Sequence, residues 1–546
     1  MIAEALNGPK AAWPRKAFSF PVFLGALLVL GVFIRARQNP MDPDTWWHLA
    51  VGDRILEQAS WPEADPYSFT VAGNPWIAYE WLGEVLMALA ARWGGLEGRT
   101  LLLIVWSSLF FLLLYYYCYL RSRHWKTAFV ACAVLLPLAT FFFTLRPQLL
   151  GYIFLVLTLI CLERFRQGSE RALWFLPAIF LVWVNTHGTF VFGLLAVGLY
   201  WLSGLIRLEW GGITAERWTD RQRLRLETVL LLCVAALAIT PYGTRIAAYP
   251  LEMALLQPAN VRNIIEWQPL GPDLLFGKLF IALLFLYFLG QLVSRQTYRL
   301  HELALLLFAI FTATLHRRFL MLFVIFFAPL AAALLVRWLP PYQPAKDHFV
   351  LNAALMVLAC VAMVLYFPSE QELEQRVNKD YPQQAMQYLR ANPVEGPVWN
   401  EYVWGGYLIW AGHPNHRVFI DGRADIYEHG GVLPDYVRIV HLDSETLSLL
   451  RKYDVRACLV RSGAPLATLL ETARGWGVAY RDEVSVLFVH RETPARASSP
   501  ATQATPSGPA TRTTSTLQTN CYRPLRGLSL NGDYIPPSLC SFLTLS

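Results

Sequence analysis

The sequence predicts a mainly α-helical, polytopic membrane protein of about eleven spans, with a long first outer loop and a small C-terminal α/β domain outside the membrane. Three observations predict it. The 546 residues are 55% hydrophobic and 16% charged, whereas soluble domains carry roughly 25% charged residues; mean hydropathy is +0.37. The apolar residues come in blocks close to the ~20 residues that cross a bilayer. Lys and Arg fall in alternate gaps between those blocks, as cytoplasmic loops require.

Taken in order, the candidate spans are Ala17–Ile34, Thr100–Leu120, Ala128–Leu145, Leu149–Leu162, Leu173–Val184, Thr189–Ile206, Thr228–Thr240, Leu274–Val293, Glu302–Leu315, Phe319–Val336 and Phe349–Phe367. With the N-terminus in the cytoplasm, the inner loops hold Arg121, Arg123 and Lys126; Arg164, Arg166 and Arg171; Arg207 through Arg225; Arg295 and Arg299; Arg337 and Lys346. The net charge of +7 is therefore read as topology rather than nucleic-acid binding. Lys10, Arg15 and Lys16 precede the first apolar run and no small-residue cleavage site follows it, so it reads as an uncleaved span. The eight cysteines lack metal-ligand or disulfide spacing. The expected location is the cytoplasmic (inner) membrane.

Residues 1–367 form the transmembrane part, with residues 35–99 as the first outer loop. Residues 368–491 alternate helical stretches ("QQAMQYLRAN", "SETLSLLRKY", "LATLLETAR") with strand stretches ("GPVWN", "RVFID", "ACLVR", "VSVLFVH"), which reads as a small α/β domain outside the membrane. Residues 492–546 open with a Ser/Thr/Pro/Ala-rich stretch that cannot bury a core, and the tail is read as disordered.

The outward-facing ends carry the polar groups. The first loop has Asp42 and Asp44 in "NPMDPDTWWHLAVGDRIL" and Glu80 in "WIAYEWLGEVL". Later ends offer Arg146 in "LRPQ", His187 in "NTHG", Tyr242, Arg245 and Glu266 in the second long loop, and His316, Arg317 and Arg318 in "HRRF". Ionisable groups at span ends are costly unless solvated or paired, and so are functional candidates. Paired carboxylates have two chemical uses: a general base or oxygen ligands for a divalent cation such as Mg or Mn. They have a plain use too, because a helix is expected from Trp46 to Gln58 and either Asp is placed to cap it. Trp46 and Trp47 read as an interfacial aromatic belt, and His48 as a packed or solvent-facing helix residue. In the C-terminal domain, Trp404 and Tyr407 in "NEYVWGGYLIW" suit a lid or a packed strand-turn. Asp421 and Arg423 in "FIDGRADIY" suit a binding loop or a salt-bridged turn. No P-loop, G-x-S-x-G or H-E-x-x-H is present, which argues against ATP-driven transport and against serine or zinc hydrolysis.

The stretch "DPDTWWHLAVGDRILEQASWPEADPYSFTVAGNPWIAYEWLGEVLMAL" resembles the first outer loop of GT-C fold glycosyltransferases, a group that includes the lipid A aminoarabinose transferases and the protein O-mannosyltransferases. There an acidic residue or pair follows the first span, and a second acid follows some thirty residues later in an aromatic setting; here these are Asp44 and Glu80. "WGGYLIW" and "VFIDGR" resemble segments of related bacterial GT-C-like membrane proteins. The chain departs from the aminoarabinose transferases at "AYEW", where Trp81 replaces the Lys that follows their second acid.

The resemblance implies a GT-C-like helix bundle and a transferase of hexosyl or pentosyl type using a polyprenyl-phosphate sugar, with an envelope glycan, lipid or protein as acceptor. It implies Asp44 as base, with Asp42 and Glu80 beside it. The departing phosphate needs fixed positive charge, and guanidinium suits it best. Arg318 and Arg146 lead, followed by Arg317, Arg245 and His316. His187, Tyr242, Glu266, Trp404, Tyr407, Asp421 and Arg423 are acceptor-side or lid candidates. A non-catalytic envelope scaffold with a degenerate site is the alternative.

Overall fold

The structure, a computed structural model, describes residues 12–38, 42–294 and 296–491. The tail at 492–546, Lys10 and Arg295 lie outside the described residues. Among the described residues, five helices are long and apolar enough to cross a membrane: Trp81–Ser122, Trp125–Phe142, Gln148–Arg166, Leu275–Ser294 and Arg317–Trp338. Phe349–Leu365 and Glu370–Asp380 form a sixth only if their 57° bend is counted within one span. Phe20–Ala36, Phe190–Ser203 and Leu300–Leu315 are apolar but shorter. The chain is thus a membrane protein by its helices, and each expected span carries a helix, down to nine residues at Leu176–Val184.

Two helices shape the first loop. Pro43–Gln58 starts where Asp42 Oδ1 accepts the Asp44 N–H at 2.9 Å, with Pro43 in its first turn, and ends at Ala59 in the left-handed region. The second helix starts at Trp81 and runs through Ser122, broken at Gly94 and Gly95. The break frees backbone N–H groups at Leu96 and Glu97, and the Glu370 carboxylate accepts both at 3.1 Å. Glu97 Oε1 in turn accepts the Glu370 N–H. These helices pass closely, since a Cβ on Gly52 would stand 2.2 Å from the Glu84 carbonyl oxygen. Only glycine admits that approach.

After Ser369 the chain builds a four-stranded sheet from Val398–Asn400, Ala457–Arg461, Ser485–His490 and Trp476–Arg481, in that spatial order. The first pair is parallel (Trp399 opposite Cys458) and the others antiparallel (Cys458 opposite Phe488). Two expectations change here. "RVFID" is not a sheet strand: the Val418 N–H donates to the Tyr67 carbonyl at 3.0 Å, and the Asn400 side chain bonds the Phe419 N–H and the Ile420 carbonyl. Its backbone groups are thus satisfied by the first loop and by one amide. "WGVAYR" supplies the fourth strand instead.

"YVWGGYLIWAG" is a helix, Tyr402–Gly412, laid on Pro43–Gln58. Trp46 is 1% exposed, and its ring meets Tyr381, Tyr407 and Trp410 at 5.4, 5.1 and 4.7 Å. Arg99 stands over it at 4.9 Å. Trp47 is also buried. These tryptophans are therefore core residues between the first loop and the C-terminal segment rather than an interfacial belt; truncating one such ring costs about 3–5 kcal/mol.

Candidate active site

Four distant segments meet at the start of the Pro43–Gln58 helix. Asp42, its N-cap, and Asp44, in its first turn, face Arg146, which lies between the Trp125–Phe142 and Gln148–Arg166 helices. Arg146 bonds Asp42 Oδ1 through Nε at 2.7 Å and Nη2 at 2.6 Å. Its Nη1 reaches Asp44 Oδ2 and Glu266 Oε1, both at 2.9 Å. Glu266 comes from a short 3-10 turn in the second long loop. The fourth segment is the "DGR" turn: a Cβ on Gly422 would stand 1.8 Å from Asp44 Oδ1.

One guanidinium thus serves three carboxylates, and Asp42 is both cap and ion-pair partner. Asp44 keeps 18% of its side chain exposed, as does Arg146. Burial pushes the Asp44 carboxyl up, to about 7, against the pull of Arg146. Burial acts on Glu266 in the same sense, but Arg146 and Arg318 outweigh it and hold Glu266 below the usual carboxylate range. Arg146 takes one oxygen of each aspartate, Asp42 Oδ1 and Asp44 Oδ2, so the positive charge beside this pair comes from the chain itself.

Behind this lies a second polar cluster. Glu80 is the residue before Trp81, and burial with the nearby Asp44 charge raises its carboxyl to about 8. Thr189 N–H donates to His187 Nδ1 at 3.0 Å, so the ring proton sits on Nε2 and is donated to Glu80 Oε1 at 3.1 Å. Burial, with Arg318 and Arg146 nearby, lowers His187 to about 3 and keeps it neutral. His48 stands between two acids, with Nδ1 3.0 Å from Glu84 Oε1 and Nε2 3.5 Å from Glu80 Oε2.

Arg318 differs from Arg146. Its guanidinium lies over the Trp267 ring at 4.1 Å, and among the described residues no carboxylate pairs with it. Its charge still acts on Glu80, Glu266 and His187, which places it on the same rim.

The remaining candidates lie apart from this centre. Arg317 bonds the Pro269 carbonyl through Nε, and His316 sits 2.5 Å from the Trp267 carbonyl. Arg245 is exposed at the start of the Arg245–Leu255 helix. Tyr242 OH donates to the Pro62 carbonyl and accepts the Ala78 N–H, which tethers the first loop. Trp404 and Tyr407 are buried, and Trp404 Nε1 donates to the Asp380 carbonyl. Arg423 grips Asp421 with two bonds (2.8 and 2.7 Å) and Asp65 with a third at 2.7 Å. That cluster is fully buried and joins the C-terminal segment to the first loop. It is a salt-bridged turn.

Residues that the sequence reading passed over are Glu84, His48 as a paired group, Asp65 and Gly422. Their signal was weak: Asp44 and His48, like Glu80 and Glu84, stand four residues apart, one helical turn.

No family model matches the sequence, and no curated protein matches it. Among solved structures, the chain is similar to the oligosaccharyltransferase of Archaeoglobus fulgidus tethered with an acceptor peptide: 13% identity over 87% of this chain and 75% of that one, TM-score 0.48. It is similar to ArnT of Cupriavidus metallidurans bound to undecaprenyl phosphate: 14% identity over 86% and 97%, TM-score 0.47. At these identities and scores the likeness carries nothing about activity, which is left to the geometry of the site.

Proposed function

We propose that the chain is a membrane glycosyltransferase that moves a sugar from a polyprenyl-phosphate donor to an envelope acceptor at the outer face of the cytoplasmic membrane. The observation that carries this reading is the pairing of unlike groups on one rim: a partly exposed Asp44 held by Arg146, and an Arg318 guanidinium without a carboxylate partner among the described residues.

In the proposed step, an acceptor hydroxyl oxygen bonds to the anomeric carbon as the bond from that carbon to the phosphate oxygen breaks. Asp44 takes the hydroxyl proton; a base with a pKa near the working pH is suited to that task. Arg146 and the close approach of Gly422 fix its carboxylate. The electron pair leaves with the polyprenyl phosphate, and Arg318 meets the charge developing there. Glu80, through His187 and His48, supports the loop behind Asp44.

The test is a transfer assay in membranes with a panel of lipid-linked sugars. Transfer from one donor that vanishes in Asp44→Asn supports the reading. Full transfer by Asp44→Asn removes the base, and absence of transfer from every donor favours the scaffold.

A further inference from the structure

We propose that His48, Glu80 and Glu84 form a binding site for one divalent transition-metal ion of zinc type, buried beneath Asp44 and separate from the Asp42–Asp44–Arg146 centre. One ligand atom from each of the three residues lies within 4.8 Å of the others. All three side chains are at least nine-tenths buried.

With both acids ionised, as metal ligands must be, the contacts within the cluster do not close as hydrogen bonds. A neutral imidazole carries one N–H, yet His48 presents a nitrogen to a carboxylate oxygen on each side, at 3.0 and 3.5 Å. One of these contacts therefore opposes lone pairs unless a proton or a cation intervenes. The 3.5 Å contact is long for a hydrogen bond. It matches the roughly 3.3–3.6 Å edge between two ligands of a tetrahedral ion with bonds of about 2.0–2.2 Å.

An independent observation points the same way. Glu84 Oε2 is buried and has no hydrogen-bond partner among the described residues. A buried carboxylate oxygen left unbonded is costly, and a metal ion satisfies it. The charges also balance once the ion is bound, since two ionised carboxylates and a neutral imidazole sum to −2 and a divalent ion brings the cluster to zero.

The surroundings supply what metal sites use. Glu80 Oε1 accepts from His187, whose own Nδ1 is fixed by the Thr189 N–H; such outer partners orient ligating groups. The donor set of one imidazole and two carboxylates suits a zinc-type ion. Magnesium prefers oxygen ligands and keeps several waters, and imidazole is not among the donors that suit it. The ion would bridge the Pro43–Gln58 helix to the helix that starts at Trp81. His48 stands one turn after Asp44, so the ion acts as a positioning device for that carboxylate. The inference does not depend on the proposed transferase activity.

The test uses the full chain in detergent, stripped with chelator and titrated with Zn²⁺ or Mg²⁺. Bound metal is read by elemental analysis and folding by thermal unfolding. The expected result is about one Zn²⁺ per chain with a raised melting temperature and no competition from Mg²⁺. Glu84→Gln, which keeps shape, should weaken zinc binding about a hundredfold, and His187→Ala about tenfold; Asp42→Asn should leave it unchanged. Absence of stoichiometric zinc in the folded wild type, or equal binding by Glu84→Gln, would overturn the site. Loss of binding in Asp42→Asn with retention in Glu84→Gln would move the ion to the other cluster and also overturn it.

Discussion

Arg146 Nη1 stands 2.9 Å from Asp44 Oδ2 and the same distance from Glu266 Oε1, so one nitrogen joins the first loop to the second. With Asp42 bonded by Nε and Nη2, the guanidinium is the centre of a three-carboxylate cluster. Removing it leaves three acids facing one another with little water. Arg146→Ala should therefore destabilise the protein by about 3–5 kcal/mol, read as a fall in melting temperature in detergent. Adding Glu266→Gln to that variant should recover part of the loss, because the mutations share a partner. A melting temperature unchanged by Arg146→Ala would show that the cluster contributes nothing to the fold.

Asp44 gives a pH signature with opposite signs for activity and stability. Burial raises its carboxyl to about 7 in the fold, above the ordinary aspartate value of ~3.9. Between those two values the unfolded chain is ionised while the folded one keeps the proton. Stability from this group is thus present at low pH and lost as pH rises through about 7. A general base works only when ionised, so transfer should climb through the same region and then level off. Asp44→Asn should make the falling limb of stability shallower, leaving the part that Glu80, raised to about 8, contributes, and cut transfer by about 10²–10⁴-fold. Melting curves and initial rates over one pH series read both; a flat wild-type rate profile would sink the assignment.

Arg318 offers a cleaner separation of binding from folding. Its contact is with the Trp267 ring and no carboxylate pairs with it among the described residues, so removing its charge leaves no acid stranded. Arg318→Gln should leave the melting temperature close to wild type. It should also weaken binding of polyprenyl phosphate by about 10–100-fold, the worth of one charge-assisted hydrogen bond. Arg318→Lys should recover only part, because ammonium lacks the planar fork. Equal affinity in wild type and Arg318→Gln would transfer the phosphate role elsewhere on the rim.

Much of this arrangement is legible in the sequence. A helix capped by Asp42 or Asp44 is expected from Trp46 to Gln58, and it starts three residues earlier, at Pro43, with Asp42 as its cap. Asp44, Arg146 and Glu266 were each marked by position at a span end, where a charge needs a reason. What sequence could not supply was their pairing: Arg146 lies 104 residues from Asp42 and 120 from Glu266, and no local pattern encodes so long a closure. Arg146 and Arg318 therefore read as equals, although three carboxylates engage one and an indole ring the other. "RVFID" had a strand's composition, but its hydrogen bonds went to Tyr67, Phe69 and Asn400 rather than to the sheet. Trp46 read as interfacial because aromatic residues beside a span usually are; the C-terminal segment that covers it lies over three hundred residues away.

Gly422 is the point where the C-terminal segment touches the candidate base. A Cβ there would stand 1.8 Å from Asp44 Oδ1 and 2.9 Å from Trp47 Nε1, closer than non-bonded atoms approach. Gly422→Ala must therefore displace the Asp44 carboxylate or the turn that carries Gly422. The turn is held by Arg423, with three bonds to Asp421 and Asp65, and Tyr402 OH donates to the Gly422 carbonyl at 3.3 Å. The carboxylate, partly exposed, is the side that yields. Gly422→Ala should then lower transfer by about 10²-fold, the scale of a 1 Å misplacement, with a smaller effect on the melting temperature. In the Asp44→Asn background the same substitution should change transfer little, because the group it displaces no longer takes a proton. Independent, multiplicative losses in the double variant would mean that Gly422 acts on some group other than Asp44, and the link between the C-terminal segment and the site would have to be drawn through another residue.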